Sequence, residues 1–150
     1  MNWDFELVAG PYGGTSEGPA WDGQAMLFTD ISNNRIMRYD PETGECTEWR
    51  TDTDATNGLN FDLQGRLYGC SGGGRAILYF DSDGANIPLP NLLDGKRHNT
   101  PNDLAIDRKG RIWFTDPNGR LSDEEREIDH SSVLRLDPFP QAEGGWTLNK

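Results

Sequence analysis

Four places in the sequence carry side chains whose type and setting suit chemistry. Glu17 stands in a Glu-Gly-Pro run, Asn57 in an Asn-Gly pair, and Asn102-Asp103 directly after Pro101, with His98 a turn upstream. Their shared capacity is oxygen donation. Carboxylates and amide carbonyls are the ligands of hard divalent cations, and an amide N–H orients a water or a substrate oxygen. Each residue also has an ordinary reading on its own. Glu17 reads equally as a solvated turn acid, Asn57 and Asn102 as turn residues at strand starts, and Asp103 as a turn cap or a partner that holds Asn102. His98 and His130 each read as a hydrogen-bonded surface or core group.

Other chemistries lack their signatures. No Gly-x-Ser-x-Gly run in the chain stands between a strand and a helix as a nucleophile elbow does, and neither histidine has a motif partner. The glycine-rich stretch around Gly72–Gly74 lies between two strand patterns, so it reads as a hairpin and not as a phosphate cradle opening a helix. Cys46 and Cys70 are too few and too far apart for a zinc cluster or a disulfide framework, and each reads as a small thiol inside a strand.

The elements that must position these residues are announced by an internal repeat. "FDLQGRLYGC" from Phe61 and "IDRKGRIWFTD" from Ile106 share an apolar residue, Asp, two residues, Gly-Arg and an apolar-aromatic run. A degenerate copy, "AWDGQAMLFTD", contains Asp22, and the three aspartates recur at ~40–45 residues, the period of a propeller blade. Each copy runs strand, hairpin turn, strand, polar loop, and a third strand ending near Asp40, Asp81 or Asp137. Asp40-Pro41-Glu42-Thr43-Gly44 is a strong turn before a short outer strand at "CTEW". "LSDEEREID" reads as an exposed loop insertion, and Asp30 and Asp116, each after Phe-Thr, as acceptors for turn N–H groups.

The fold expected is therefore all-β, a partial β-propeller of about three four-stranded blades, over approximately residues 14–50, 55–90 and 100–150, with 1–12 as the closing strand of a last blade. Propellers usually close with ~4–8 blades, so three need a C-terminal half or a second copy of the chain to complete a ring.

Composition agrees and excludes. With 18 Gly, 9 Pro and 15 aromatic side chains (5 Trp, 6 Phe, 4 Tyr), the chain reads as short strands joined by turns. The net charge of -11 repels phosphate backbones and anionic membranes, so neither nucleic acid nor a membrane is an expected partner. Asp4 and Glu6 replace the basic start of a leader, and nothing reaches the ~18 apolar residues of a membrane span, so a cytoplasmic protein is expected.

Three blocks, "SEGPAWDGQAMLFTDISNNRIMRYDPETG", "NGLNFDLQGRLYGC" and "NTPNDLAIDRKGRIWFTDP", resemble consecutive blocks of the gluconolactonase / senescence-marker-protein (regucalcin-like) family over roughly residues 14–138. That family is similar in fold to diisopropyl fluorophosphatase and paraoxonase. The resemblance implies the N-terminal half of a six-bladed ring with one divalent cation in its central channel, usually Ca2+, with Zn2+, Mn2+ or Mg2+ as other candidates. It implies Glu17 as a metal ligand and Asn102 as a ligand or substrate contact. The repeat register puts Asn57 in the place equivalent to Asn102, and His98, four residues before Asn102, and Asp103, directly after it, are the other groups expected near a small-molecule substrate. The senescence-marker branch carries an Arg where this chain has Thr100, so no arginine is carried over for lactone binding.

The activity implied is calcium-dependent hydrolysis of sugar or related lactones, with the catalytic general base expected outside this chain. A non-catalytic or truncated half-propeller, an organophosphate-type esterase, and a homodimer sharing one central cation are the alternatives.

Overall fold

The computed structural model describes residues 3–138 and 146–149. Its strands form three antiparallel sheets of four, each in chain order. The first holds β1 (Ser16–Trp21), β2 (Met26–Asp30), β3 (Arg35–Tyr39) and β4 (Cys46–Thr51). The second holds β5 (Thr56–Phe61), β6 (Leu67–Ser71), β7 (Ala76–Phe80) and β8 (Asn86–Pro88). A two-stranded hairpin, β9 (Leu92–Leu93) and β10 (Lys96–Arg97), precedes the third sheet of β11 (Leu104–Ile106), β12 (Ile112–Asp116), β13 (Ser132–Pro138) and β14 (Trp146–Asn149). Four-stranded meanders of this kind are propeller blades. The stretch 139–145 and residue 150, within the expected third blade, lie outside the described residues. Among the described residues no helix is long and apolar enough to cross a membrane.

The repeated Asp-x-x-Gly-Arg run is a turn clamp. Asp62 Oδ1 accepts the backbone N–H groups of Gln64 and Arg66, both at 2.9 Å, Gly65 takes the left-handed turn position at φ 76°, and Arg66 Nε donates to Asp62 Oδ2 at 2.6 Å. Asp107 repeats this with the N–H groups of Lys109 and Arg111 and with Arg111 Nε, around Gly110 at φ 76°. In the shortened first copy, Asp22 accepts the N–H groups of Gln24 and Ala25, and the guanidinium comes from Arg38 across the sheet at 3.2 Å. Asp30 departs from expectation. It accepts from the side chains of Asn33 and Arg35, each at 2.9 Å, instead of from turn N–H groups.

Blades pack face to face. One apolar cluster joins Leu27 and Ile36 to Leu59, Leu67, Leu78 and Phe80, and a second joins Tyr68, Cys70 and Ile77 to Ile112, Phe114, Leu134 and Leu136. The middle blade is thus covered on both faces, and every residue of β6 is buried. β12 alternates buried and exposed because successive side chains point to opposite faces and, among the described residues, one face packs on the middle blade. The open side of this sheet carries Trp113 from β12 and Val133 from β13, the latter 62% exposed. Described residues 3–12, expected as a closing strand, form no strand, and Trp3, Phe5 and Leu7 are exposed.

Polar side chains lace the blades together. Arg50 donates to the carbonyl of Asp81 at 2.8 Å while stacking on Trp49. Arg75 donates to the carbonyls of His98 (2.8 Å), Asn99 (3.3 Å) and Glu125 (3.1 Å), tying the β6–β7 turn to the segment leading into the third blade. Leu121–Asp129 is a loop, as expected, with Ser122 O accepting from the N–H groups of Glu125 and Arg126.

The turn clamp predicts an acid response. Desolvation pushes the Asp107 carboxyl up, but hydrogen bonds from Trp113, Arg111 and two backbone N–H groups outweigh it and hold the group far below the usual carboxylate range. A depressed folded pKa stabilises above the unfolded value of about 3.9, and that contribution is lost as pH falls through the folded value. Asp107→Asn should therefore melt below the wild type at pH 7, with the gap narrowing as pH drops below about 4. Thermal midpoints across pH 2–7 check this, and a gap independent of pH contradicts it.

Candidate functional site

The inner strands of two blades break their regular ladders at the residues singled out by type. β1 pairs Glu17 with Thr29 and Ala20 with Leu27, so one extra residue is inserted at Gly18-Pro19. β5 pairs Thr56 with Ser71 and Leu59 with Gly69, and the extra residue falls at Asn57-Gly58. Such bulges re-aim side chains out of the strand's alternation. The third blade uses another device, because its regular ladder begins only at Leu104, after Asn102 and Asp103. Those two are held against β12 by Asn102 N–H to Thr115 O at 3.0 Å, Thr115 N–H to Asp103 O at 3.0 Å, and Asp103 N–H to Thr115 Oγ1 at 3.1 Å.

The three inner strands meet backbone against backbone. Gly58 N–H donates to the carbonyl of Asn102 at 2.9 Å. A Cβ on Gly18, which sits at φ 58°, would lie 2.5 Å from Asn57 O and 2.8 Å from Leu59 N. A Cβ on Gly58 would lie 2.5 Å from Asp103 Oδ1, 2.8 Å from Asp103 Cα and 2.9 Å from Asn102 O. Glycine is thus the residue that lets these strands converge.

Along this seam runs a groove of about 550 Å³ that brings together Glu17, Asn57, Asn102 and Asp103, with Asn60 beside them. Its ionisable groups are two carboxylates, and its other polar side chains are amides. Among the described residues no lysine, arginine or histidine lines it. That donor set fits a hard, oxygen-ligated cation. It is also partial. Among the described residues no three His, Cys, Asp or Glu side chains converge, while calcium takes ~6–8 oxygens. Asn57 is 2% exposed, and its Nδ2 has no hydrogen-bond partner. A buried donor left unpaired costs about 1–3 kcal/mol.

His98, expected near substrate, is not part of the groove. It is 1% exposed, packs on the Phe114 ring, and its Nδ1 lies 3.1 Å from Asp116 Oδ1. Asp116 Oδ2 also accepts the N–H of Asn99 at 2.8 Å, and Thr100 Oγ1 donates to Pro117 O at 2.9 Å. The segment from His98 to Thr100 therefore anchors the approach to Asn102, and the residue standing where the resembled branch has an arginine is occupied structurally. His130 lines a separate cavity of about 410 Å³ with Leu93, Lys96 and Ile128. Burial, aided by the charges of Asp103 and Asp116, pushes the Cys70 thiol well up, so it stays protonated and unreactive. Gly18 and Gly58, adjacent to Glu17 and Asn57, form the site by the side chains they lack, a role that residue type alone does not signal.

Comparison with known proteins follows the same lines. A family model described as the SMP-30/Gluconolactonase/LRE-like region matches residues 15–144. A gluconolactonase from Zymomonas mobilis is 30% identical over 143 residues, covering 82% of this chain and 40% of the relative. A pentonolactonase from Haloferax volcanii is 29% identical over 99 residues, covering 65% of this chain and 32% of the relative. The structure of a gluconolactonase from Xanthomonas campestris superposes with a TM-score of 0.78 at 38% identity, covering 90% of this chain and 46% of that one. The chain spans less than half the length of each of these three.

The seam is testable by adding one methyl group. Gly58→Ala meets backbone atoms that cannot swing aside, so it should destabilise by roughly 2 kcal/mol or more. Gly119→Ala, with nothing within 4 Å of its Cβ, should stay within about 0.5 kcal/mol of wild type. Urea unfolding of both variants decides, and equal stabilities would show that the inner strands are not in the contact described.

Proposed function

The chain belongs to the SMP-30/gluconolactonase/LRE-like family, and on that premise we propose that its groove is one share of a lactone-hydrolysing site in which Glu17 and Asn102 hold a divalent cation, calcium first among candidates. The observation that carries this reading is the convergence of Glu17, Asn57, Asn102 and Asp103 on one seam from three different blades. Packing of adjacent blades brings the three inner strands together, and the carboxylates and amides placed on that seam give the groove its oxygen-donor character. The named activities of the relatives, gluconolactone and pentonolactone hydrolysis, support a lactone as the small-molecule substrate.

The roles divide by chemistry. Glu17, exposed at the bulge of β1, offers a carboxylate, and Asn102 offers a neutral carbonyl oxygen. Asp103, whose Oδ1 accepts the N–H of Leu104 at 2.9 Å, and Asn57 face the substrate beside them. When bound, the cation supplies Lewis-acid polarisation of the lactone carbonyl. The absence of imidazole and thiolate from the groove lining favours calcium, magnesium or manganese over zinc. The remaining ligands and the general base belong to further blades, contributed by a longer chain or by a second copy packed on the open faces of the first and third blades.

Calorimetric titration with calcium tests the assignment. Glu17→Gln and Asn102→Ala should each weaken binding about tenfold or more, while the exposed Glu124→Gln should not. Glucono-δ-lactone hydrolysis should vanish with chelator and return with calcium. Calcium affinity unchanged in Glu17→Gln would remove Glu17 from the site.

A further inference from the structure

The internal repeat allows each sheet face to be compared position by position. Leu27, Tyr68 and Trp113 take the same place in their blades, pairing across the sheet with Arg38, Tyr79 and Arg135. Ile36, Ile77 and Val133 pair in the same way with Thr29, Cys70 and Thr115. In the first two blades these residues are covered by the next blade. Leu27 and Ile36 pack on Leu59, Leu67, Leu78 and Phe80, and Tyr68 and Ile77 on Ile112, Phe114, Leu134 and Leu136. In the third blade the same positions stay apolar, and among the described residues no blade covers them. Trp113 is 37% exposed and Val133 62%, where Tyr68 is 2% and Ile77 0%. A cleft of about 260 Å³ runs across this face beside Ala105, Trp113 and Val133.

The matching surface stands at the other end of the chain. The faces that receive a preceding blade carry Leu67 and Phe80 in the second sheet and Ile112 and Leu136 in the third, all buried. Their counterparts in the first sheet, Met26 and Tyr39, are half-buried, and Trp21, paired with Met26, is 50% exposed. Tyr12 covers the outer part of that face, its ring 5.6 Å from Phe28 and its hydroxyl 3.1 Å from Cys46 Sγ. The chain thus carries both halves of an interface that it already makes twice. The two halves cannot meet within one chain, because three blades fall short of the ~4 that a closed propeller needs.

We propose that the partner is a second copy of this chain, the third blade of each copy packing on the first blade of the other to close a six-bladed ring. A twofold axis makes the two junctions identical. The size fits, since this chain superposes on 46% of the Xanthomonas campestris gluconolactonase. One position makes these junctions looser than those inside the chain. Asp103 precedes Leu104 where Gly58 precedes Leu59 and Gly18 precedes Pro19. Its side chain therefore intrudes on the seam, opposite Glu17 and Gly18 of the second copy. Ring closure depends on the sheet faces and is independent of what the groove binds.

Sedimentation velocity of the 150-residue chain from low to high micromolar concentration, in chelator and again in calcium, tests the ring. The wild type should pass from monomer to dimer and no further. Trp21→Glu and Val133→Glu should each raise the dissociation constant at least about tenfold, because each substitution enters both junctions. Both sites are exposed in one copy, so circular dichroism should show the variants folded, and either one suffices. Leu63→Glu, at a hairpin turn outside both faces, should leave the constant unchanged, and Asp103→Gly should lower it. A monomer in both conditions assigns the open face to a blade outside this sequence and overturns the proposal. Oligomers that grow beyond the dimer show that the faces do not close, and a dimer indifferent to Trp21→Glu and Val133→Glu uses another surface; either result also overturns it. The calcium titration of Glu17→Gln reports on the cation reading separately, whichever way sedimentation falls.

Discussion

The direct contact of backbone on backbone where Gly18, Gly58 and Asn102 meet is the constraint on which the rest of the arrangement depends. Blades wider than this at their inner edges would hold Glu17, Asn57 and Asn102 too far apart to share a ligand. Two glycines remove the side chains that would hold them apart, and the hydrogen bond from Gly58 to Asn102 sets the spacing. The apolar clusters on either side of the middle blade supply the force that presses the strands together. Core packing and site geometry are therefore one problem, solved at the same seam.

Electrostatics sorts the acidic side chains into two populations. Asp22, Asp62 and Asp107 have their oxygens filled by backbone N–H groups and guanidinium groups, and they serve the turns. Glu17 and Asp103 line the groove without a cationic side chain beside them. In a chain of net charge -11, the local satisfaction of each carboxylate separates structural acids from candidate ligands. The distinction is invisible to composition.

The third blade shows how a buried polar network positions an exposed residue. Asp116, fully buried, collects His98 Nδ1 and the Asn99 N–H, while Arg75 gathers the carbonyls of the same stretch. Together they fix the path of the chain just before Pro101 and Asn102. A histidine near a site in sequence is thus explained by packing, its side chain serving the frame around the groove.

Blades, turns and their order were legible from residues alone. The Asp-x-x-Gly-Arg period marks a turn whose hydrogen bonds lie within five residues, and alternating apolar residues mark strands, so each is written where it acts. The Glu-Gly-Pro, Asn-Gly and Asn-Asp pairs were legible as oxygen donors for the same reason, and all of them lie on the groove. Three things were not legible. The bulges at Gly18 and Asn57 come from register with the neighbouring strand, the burial of His98 comes from Phe114 and Asp116 closing over it, and the unpaired amide of Asn57 comes from contacts with two other blades. Each depends on atoms roughly 7 to 45 residues away in the chain brought within a few ångströms. Local pattern specifies which strands and turns form, while the surroundings of a side chain are set by neighbours that only folding brings beside it.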